Sequence, residues 1–188
     1  PISIDTYKRP TAEKALAAGA DIVNDISALR FDESMAELVA AAKVPVILMH
    51  MLGTPRDMQN NPRYDDCVED VARFFEERID FAISAGIDKS RIILDPGIGF
   101  GKRLSDNIEL LARLERFKAF GLPLLIGTSR KSFIGMLQDS DRPASARIGG
   151  SIASGVTAVM KGANIVRVHD VAETVEALKV VSAVKGAI

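Results

Sequence analysis

Three residue types are scarce in this 188-residue chain, and each scarcity narrows what the protein can be. It has no tryptophan, two tyrosines and one cysteine. With so few aromatic side chains and a net charge of −1, it lacks the stacking surface and the basic field that nucleic-acid binding needs. The single Cys67 excludes an internal disulfide, which is typical of proteins in the reducing cytoplasm. We therefore predict a cytoplasmic protein that does not bind nucleic acid.

Long hydrophobic runs are also missing. The longest, at residues 44–49 and 122–126, are far shorter than the ~20 residues that span a bilayer, so no membrane segment is predicted. A hydrophobic content of 47% in a chain of this length is enough for one substantial core. We predict a single domain over residues 1–188.

Short apolar runs alternate with segments of helical periodicity six times. The runs predict strands at 2–4, 21–23, 44–49, 92–94, 122–127 and 164–168. The periodic segments predict helices at 11–18, 32–42, 65–85, 105–119, 146–161 and from 171 onward. This alternation predicts an α/β fold with a parallel sheet and right-handed crossovers.

Details of the helices and loops can be predicted as well. Ser105 is expected to cap its helix, and residues 52–64 and 139–144 are expected to form irregular loops. In the last two helices the apolar spacing predicts the residues that face the core. These are Ile148, Ile152, Val156 and Val159, and then Val171, Val175, Leu178 and Val181.

Polar side chains stand at the carboxyl end of every predicted strand. They are Asp5, Asn24, His50, Asp95, Ser129 to Lys131, and Arg167 with His169. In an open sheet only strands beside the switch point converge on a ligand, whereas a closed barrel brings all strand ends around one mouth. A barrel has eight strands, so we predict a (β/α)8 barrel with two units preceding Pro1.

The stretch from Ile92 to Lys102 is the strongest site signal. A buried strand ends on Asp95, and Gly97, Gly99 and Gly101 follow with Phe100 between them. The spacing matches neither a Walker loop nor a dinucleotide fingerprint. A plain strand-to-helix turn with a capping aspartate remains the alternative.

The strand-end groups fall into two chemical types. Asp5, Asn24 and Asp95 suit a flat heterocycle with ring N–H and amino donors, whereas Lys131, Arg167 and His169 suit an anionic group such as phosphate. The alternative for Arg167 and His169 is a surface ion pair with Asp170 or Glu173.

Six motifs together resemble the dihydropteroate synthase family, in that family's order. They are SIDTYK from Ser3, DIVNDI from Asp21, LMHMLGTP from Leu48, LDPGIGFGK from Leu94, GTSRKSFIG from Gly127 and RVHDV from Arg167. The resemblance runs from the family's third barrel strand onward. It implies a pterin-binding TIM barrel that condenses (7,8-dihydropterin-6-yl)methyl diphosphate with 4-aminobenzoate, giving 7,8-dihydropteroate and diphosphate in folate biosynthesis.

The resemblance also implies residue roles, with Asp5, Lys131 and Arg167 as catalytic residues. The residues expected to contact the pterin are Asp5, Asn24, Asp95 and Lys131, and those expected to shape its slot are Met49, Phe100 and Gly127. Ser129 would lie near the aminobenzoate. Arg167 and His169 would hold the diphosphate. Mg2+ is the implied cofactor, with its ligand before Pro1. A homodimer and sensitivity to sulfonamides, which mimic aminobenzoate, are implied too.

Two other functions stay open. A pterin-binding methyltransferase-type barrel would keep Asp95 and Asn24 but have little use for Arg167 and His169. A non-catalytic pterin-binding subunit would have lost its chemistry. We also expect the 188-residue segment alone to be inactive or unstable.

Overall fold

The computed structural model describes residues 1–138 and 143–186, in which parallel strands alternate with helices. The strands, β1 to β6, are Ser3–Asp5, Ile22–Asp25, Val46–Met49, Ile92–Asp95, Leu125–Ile126 and Ile165–Val166. The helices, α1 to α7, are Arg9–Ala17, Met35–Ala42, Cys67–Ser84, Leu104–Ala112, Ser132–Leu137, Ile148–Met160 and Val171–Gly186. Short 3-10 turns lie at Lys89–Arg91, Leu114–Phe120 and Ala144–Ala146. The predicted alternation is confirmed, but β3, β5 and β6 are shorter than expected, and α5 is a helix that the sequence did not predict.

The strands lie side by side in chain order. β1 to β4 form one parallel sheet, β5 pairs with β6, and a parallel bridge between Leu94 and Leu124 joins the two sets. An open doubly wound sheet reverses its strand order at a switch point, whereas a barrel adds each strand beside the previous one. The predicted α/β barrel class is therefore confirmed, with six of its βα units in the described residues.

The central strands are buried on both faces, whereas the first and last strands, β1 and β6, are largely exposed. β3 and β4 are buried at all four positions. On the inner face Ile47, Ile93 and Leu125 form a small apolar layer, with Ile22 against it. Strand side chains repeat every second residue, so the next inward positions along these strands are Asn24, Met49, Asp95 and Gly127. The apolar layer thus forms a floor beneath those four residues.

The main core lies between the sheet and the helices. α3 is capped by Asp66, whose carboxylate accepts hydrogen bonds from Val68 N at 3.0 Å and Glu69 N at 3.1 Å. Its fully buried Phe75 makes an edge-on contact with Phe117 at 5.6 Å between ring centroids. The buried apolar residues of α3 recur at helical spacing; they are Val68, Val71, Ala72, Phe75, Ile79 and Ala82.

Several predicted details of the helices are wrong. Ser105 does not cap α4; Arg103 precedes the helix, and its backbone N–H donates to Asp106 at 2.7 Å. The helix ends at Ala112 and a 3-10 turn continues to Phe120. Ser105 is the second residue of the helix, so it cannot act as the N-cap. The Asp106 carboxylate binds the Arg103 N–H instead, as in a capping box.

The predicted core faces of the last two helices are only partly confirmed, because Ile152, Val156, Val159, Leu178 and Val181 are half-buried. In α6 the buried residues are Ser151, Gly155 and Ala158, while Ile148 is 36% exposed. Gly150 lies so close to Ile134 that a Cβ there would be 2.2 Å from its side chain, so small residues face the neighbouring helix. In α7 two residues of the predicted stripe, Val171 and Val175, are 58% and 45% exposed. Periodicity identifies an apolar stripe but not the surface that will cover it.

The loops agree with the sequence where they are described. Residues 52–64 contain only turns and bends, as predicted. Of the loop predicted at 139–144, residues 139–142 lie outside the described residues. No helix in the described ranges combines the length and the apolar character that crossing a membrane requires.

Candidate functional site

A cavity of about 510 Å3 opens at the carboxyl ends of the strands. It is lined by Asp5, Thr6, Tyr7, Lys8, Asn24, Ile26, Met49, Asp95, Phe100, Gly127, Lys131 and Arg167. Eight of the ten predicted site residues are in this lining. Thr6, Tyr7, Lys8 and Ile26 were not among the predicted site residues, although they lie within three residues of the end of β1 or β2. All four belong to the SIDTYK and DIVNDI motifs, which could have indicated them.

Asp5 connects the two ends of the strand order. Its Oδ1 accepts from Asn24 Nδ2 at 2.5 Å, and its Oδ2 accepts from Arg167 at 2.5 Å. Asp5 ends β1 and Arg167 directly follows β6, so the contact spans 162 residues of sequence. The sheet therefore curves enough to bring its first and last strands to one cavity.

Asn24 has one polar atom with no partner. The side chain is only 5% exposed, and its Oδ1 accepts no hydrogen bond from the described residues. A buried carbonyl oxygen without a donor is costly, about 1–3 kcal/mol, and such atoms call for an explanation. Because Asn24 lines the cavity, a ligand N–H could supply the missing donor.

Asp95 is the most buried acid of the cavity, at 6% exposed. Its Oδ1 accepts the Gly97 N–H at 2.8 Å. Burial raises the pKa of Asp95 above its ordinary value of 3.8, while the positive charge of Lys131 opposes that shift. The carboxylate is thus held at the cavity wall in surroundings that favour a hydrogen-bond donor as its partner.

The sharp turn after Asp95 depends on Gly97. Its φ is +69°, and a Cβ there would lie 1.9 Å from the His50 carbonyl oxygen. Only glycine combines a left-handed backbone with so close an approach. The turn directs the chain back across the cavity, where Phe100 becomes part of the wall.

Lys131 lines the same cavity as Asp95. Burial lowers the pKa of Lys131 to about 8; Asp95 counters this shift and Arg167 adds to it. The Lys131 ammonium lies 4.7 Å from the centre of the Phe100 ring and donates to the Ile98 carbonyl. One wall therefore offers a cation beside an aromatic face.

Ser129 and His169 do not line the cavity; they bind each other beside it. His169 Nδ1 lies 3.0 Å from Ser129 Oγ, and the His169 backbone N–H donates to the same oxygen at 3.2 Å. In the described residues neither Arg167 nor His169 forms the alternative ion pair with Asp170 or Glu173; Arg167 pairs with Asp5, and Asp170 pairs with Arg130. Arg167 is thus directed to the cavity while Ser129 fixes the loop that carries His169.

His50 and Lys102, which the sequence suggested as site groups, lie beneath the surface. They are 5% and 4% exposed, and Lys102 Nζ is 2.9 Å from His50 Nδ1. Burial and the neighbouring Lys102 lower the pKa of His50 well below 6.5, so its ring is neutral. Neither side chain is in the cavity lining.

The described residues do not form a metal centre by themselves. They contain no group of three or more His, Cys, Asp or Glu side chains placed to hold an ion. In the cavity, Asp5 is already shared by Asn24 and Arg167. This donor set does not fit a self-contained magnesium site.

Comparisons with known proteins agree with this geometry. A family model described as pterin binding enzyme matches residues 1–169. Dihydropteroate synthase of Escherichia coli K12 is 50% identical over 182 residues, covering 97% of this chain and 64% of that protein. The chain therefore spans a little less than two thirds of the length of that relative.

Two solved structures extend the comparison to the fold. Xanthomonas albilineans dihydropteroate synthase with 4-aminobenzoic acid has a TM-score of 0.91 and 48% identity, covering 98% of this chain and 65% of that one. The Yersinia pestis enzyme in a sulfonamide drug complex has a TM-score of 0.95 and 46% identity, covering 99% and 67%. With most of its length matched in sequence and in structure, the chain belongs to the pterin-binding enzyme family.

Proposed function

We propose that this chain carries the active site of a dihydropteroate synthase, a transferase of folate biosynthesis. The reaction joins (7,8-dihydropterin-6-yl)methyl diphosphate to 4-aminobenzoate and releases diphosphate. One observation carries the proposal. A single cavity places the acceptors Asn24 and Asp95 with the cations Lys131 and Arg167.

The acceptors suit the pyrimidine edge of a pterin. That edge presents ring N–H and amino donors, and Asn24 Oδ1 lacks a donor while Asp95 is a buried carboxylate. Met49, Phe100 and Gly127 are the slot residues in this assignment, and all three line the cavity. Its volume of about 510 Å3 is within the range of small-molecule sites.

The cations suit the leaving diphosphate. The Arg167 and Asp5 side chains are 58% and 48% exposed. An ion pair that is this accessible to water contributes little to stability. Arg167 can therefore exchange Asp5 for a phosphate oxygen at small cost. In this assignment Lys131 assists at the pterin, and His169 reaches the diphosphate from the loop that Ser129 holds.

The chemical step follows from that placement. The methylene C–O bond breaks and diphosphate leaves with the electron pair, while Asp5 and Asp95 stabilise the positive charge that spreads into the pterin. The amine of 4-aminobenzoate then forms the C–N bond and loses a proton. Ser129 is assigned to the aminobenzoate side. Mg2+, which the family resemblance implies, finds no complete set of ligands among the described residues.

Three further properties are part of the proposal. The protein is a homodimer, supported by an apolar hollow of about 430 Å3 between α4, α5 and α6 that includes the exposed Ile108 and Leu137. It works in the cytoplasm, supported by the free thiol of the buried Cys67. Residues 1–188 belong to one domain, supported by the bridge between β4 and the segment before β5.

The experiment compares two ligands that differ only in the diphosphate. The purified chain is titrated with 6-hydroxymethyl-7,8-dihydropterin and with its diphosphate, and each affinity is measured again in an Arg167→Ala variant. We expect the diphosphate to bind more tightly, and we expect Arg167→Ala to remove that advantage. Equal affinity for both ligands would favour the methyltransferase-type barrel, and no binding of either by a chain that circular dichroism shows to be folded would reject a pterin site.

Turnover separates an enzyme from a non-catalytic pterin-binding subunit. Dihydropteroate formation is measured for the chain alone and for the chain joined to the part of the Escherichia coli relative that it does not match. We expect product only from the joined protein, with sulfonamides competing against 4-aminobenzoate. Pterin binding without product in the joined protein would leave binding as the function and reject catalysis.

A further inference from the structure

Four successive carbonyl oxygens of the glycine-rich turn are each bound by a side chain. The carbonyls of Ile98, Gly99, Phe100 and Gly101 accept from Lys131 Nζ, Gln59 Nε2, Lys102 Nζ and Tyr64 Oη. These donors come from three different parts of the chain. The turn has almost no regular secondary structure, so its position depends on these side-chain bonds.

Lys102 differs from the other donors because it is deeply buried outside the cavity. It is 4% exposed, donates to the Phe100 carbonyl at 3.1 Å and lies 2.9 Å from His50 Nδ1. His50 is itself fixed, since its backbone N–H donates to the Asp95 carbonyl at 2.9 Å and its ring contacts Phe74 edge-on at 4.8 Å. Lys102 therefore ties Phe100 to the strand layer beneath the cavity.

A buried amine is kept only where its partners compensate for the loss of water. Burial lowers the pKa of Lys102 to about 7, and in the tautomer of the neutral His50 ring that carries its proton on Nε2, Nδ1 can accept from the Lys102 amine. If Lys102 were removed, the Phe100 carbonyl and His50 Nδ1 would both lose their partner in a buried region. The turn would then have to move to satisfy them.

We propose that Lys102 is a positioning residue that holds the Phe100 ring in the cavity wall through the Phe100 carbonyl. The ring lines the cavity and lies 4.7 Å from Lys131 Nζ, so a shift of the turn would alter both the slot and the cation in it. This inference rests on the proposed function only in its claim that the ring contacts a pterin.

The absence of tryptophan allows a direct test of the ring position. Phe100→Trp introduces one indole, and its emission and acrylamide quenching report its surroundings without any ligand. Adding Lys102→Met should shift the emission to longer wavelength and increase quenching. In the protein that retains Phe100, Lys102→Met should weaken binding of the dihydropterin diphosphate about tenfold or more.

Arg78→Met is the matched control. Arg78 is also buried, at 7% exposed, and donates to the Ala28 and Leu29 carbonyls in another loop. We expect it to lower thermal stability without moving the emission of the indole. If Arg78→Met shifts the emission as much as Lys102→Met does, the effect is general loosening and the proposal is wrong.

Two His50 variants keep the test decisive if Lys102→Met does not fold. His50→Asn retains an acceptor near the position of Nδ1 and should preserve the emission, whereas His50→Leu removes it and should reproduce the Lys102→Met shift. Unchanged emission in folded Lys102→Met, or in His50→Leu, overturns the proposal. Failure of the parent protein to bind pterin would reject the proposed function, while the ligand-free emission would still decide the role of Lys102.

Discussion

Replacing Asp95 by asparagine should weaken pterin binding while leaving the fold as stable or more stable. The two side chains have nearly the same shape, and an amide oxygen can still accept the Gly97 N–H that Oδ1 accepts at 2.8 Å. What disappears is the negative charge of a side chain that is 6% exposed at the cavity wall. The variant therefore isolates the contribution of charge.

The binding loss can be estimated from the hydrogen bonds that the carboxylate would make. A hydrogen bond to a charged group contributes about 1.5–3 kcal/mol, which is roughly 10-fold to 150-fold in the dissociation constant. An amide in place of the carboxylate also turns an NH2 donor toward the donors of the pterin edge. We expect the upper part of that range.

The stability change has the opposite sign and depends on pH. Burial raises the pKa of Asp95 above 3.8, so ionisation costs the folded protein more than the unfolded chain. The wild-type penalty is absent below 3.8 and fully present above the folded-state pKa. Asp95→Asn should therefore raise the free energy of unfolding at pH 7 and have no such advantage below pH 3.8.

Two measurements on the same protein check the reasoning. Calorimetric titration with the dihydropterin diphosphate gives the affinity, and urea unfolding at pH 7 gives the stability. A variant that binds pterin as tightly as the wild type would refute the role of the carboxylate. Loss of both affinity and stability would show that Asp95 acts as a structural cap and not as a ligand group.

Three further predictions concern the turn, the leaving group and the lysine. Gly97→Ala should lower the free energy of unfolding in urea by about 2–5 kcal/mol, because the new Cβ would lie 1.9 Å from a backbone carbonyl oxygen. The control Gly121→Ala has a similar φ of +65° and open space around the Cβ, so it should lower that free energy by only about 1–2 kcal/mol. Equal losses in the two variants would contradict the close approach at Gly97. Arg167→Ala in the joined protein should lower turnover roughly 100-fold, because it removes a cation from the leaving group. The control Arg116→Ala, on the outer surface, should leave turnover unchanged. Unaltered turnover in Arg167→Ala would reject the assignment. Affinity for the dihydropterin diphosphate should fall as the pH rises through about 8, where Lys131 loses its proton. Lys131→Arg should move that fall to higher pH. If a pH series of titrations gives the same midpoint for Lys131→Arg as for the wild type, Lys131 is excluded as the titrating group.

The sequence alone was sufficient for the fold class and for most of the cavity. Parallel strands need crossover helices, so alternating apolar runs and helical stripes predict a parallel α/β sheet, and polar residues at every strand end favour a closed barrel over an open sheet. Polar residues at strand ends are otherwise hard to explain, and Asp5, Asn24, Asp95 and Arg167 do meet in one cavity. The chemistry of these residue types also separates the acceptors from the cations.

Local patterns could not indicate which neighbour each side chain would find. Lys102 follows the glycines as if it were a phosphate ligand, yet it turns under the cavity to His50 because the chain doubles back after Gly97. The apolar stripe of α7 was assigned to the core, and two of its valines are on the surface.

The contact between Asp5 and Arg167 could not be predicted from local sequence, because it joins residues 162 positions apart and depends on the curvature of all six strands. The residue types and their order along the chain are written in the sequence. The distances between these residues depend on how the sheet and the helices pack, because packing decides which of several similar apolar surfaces come into contact.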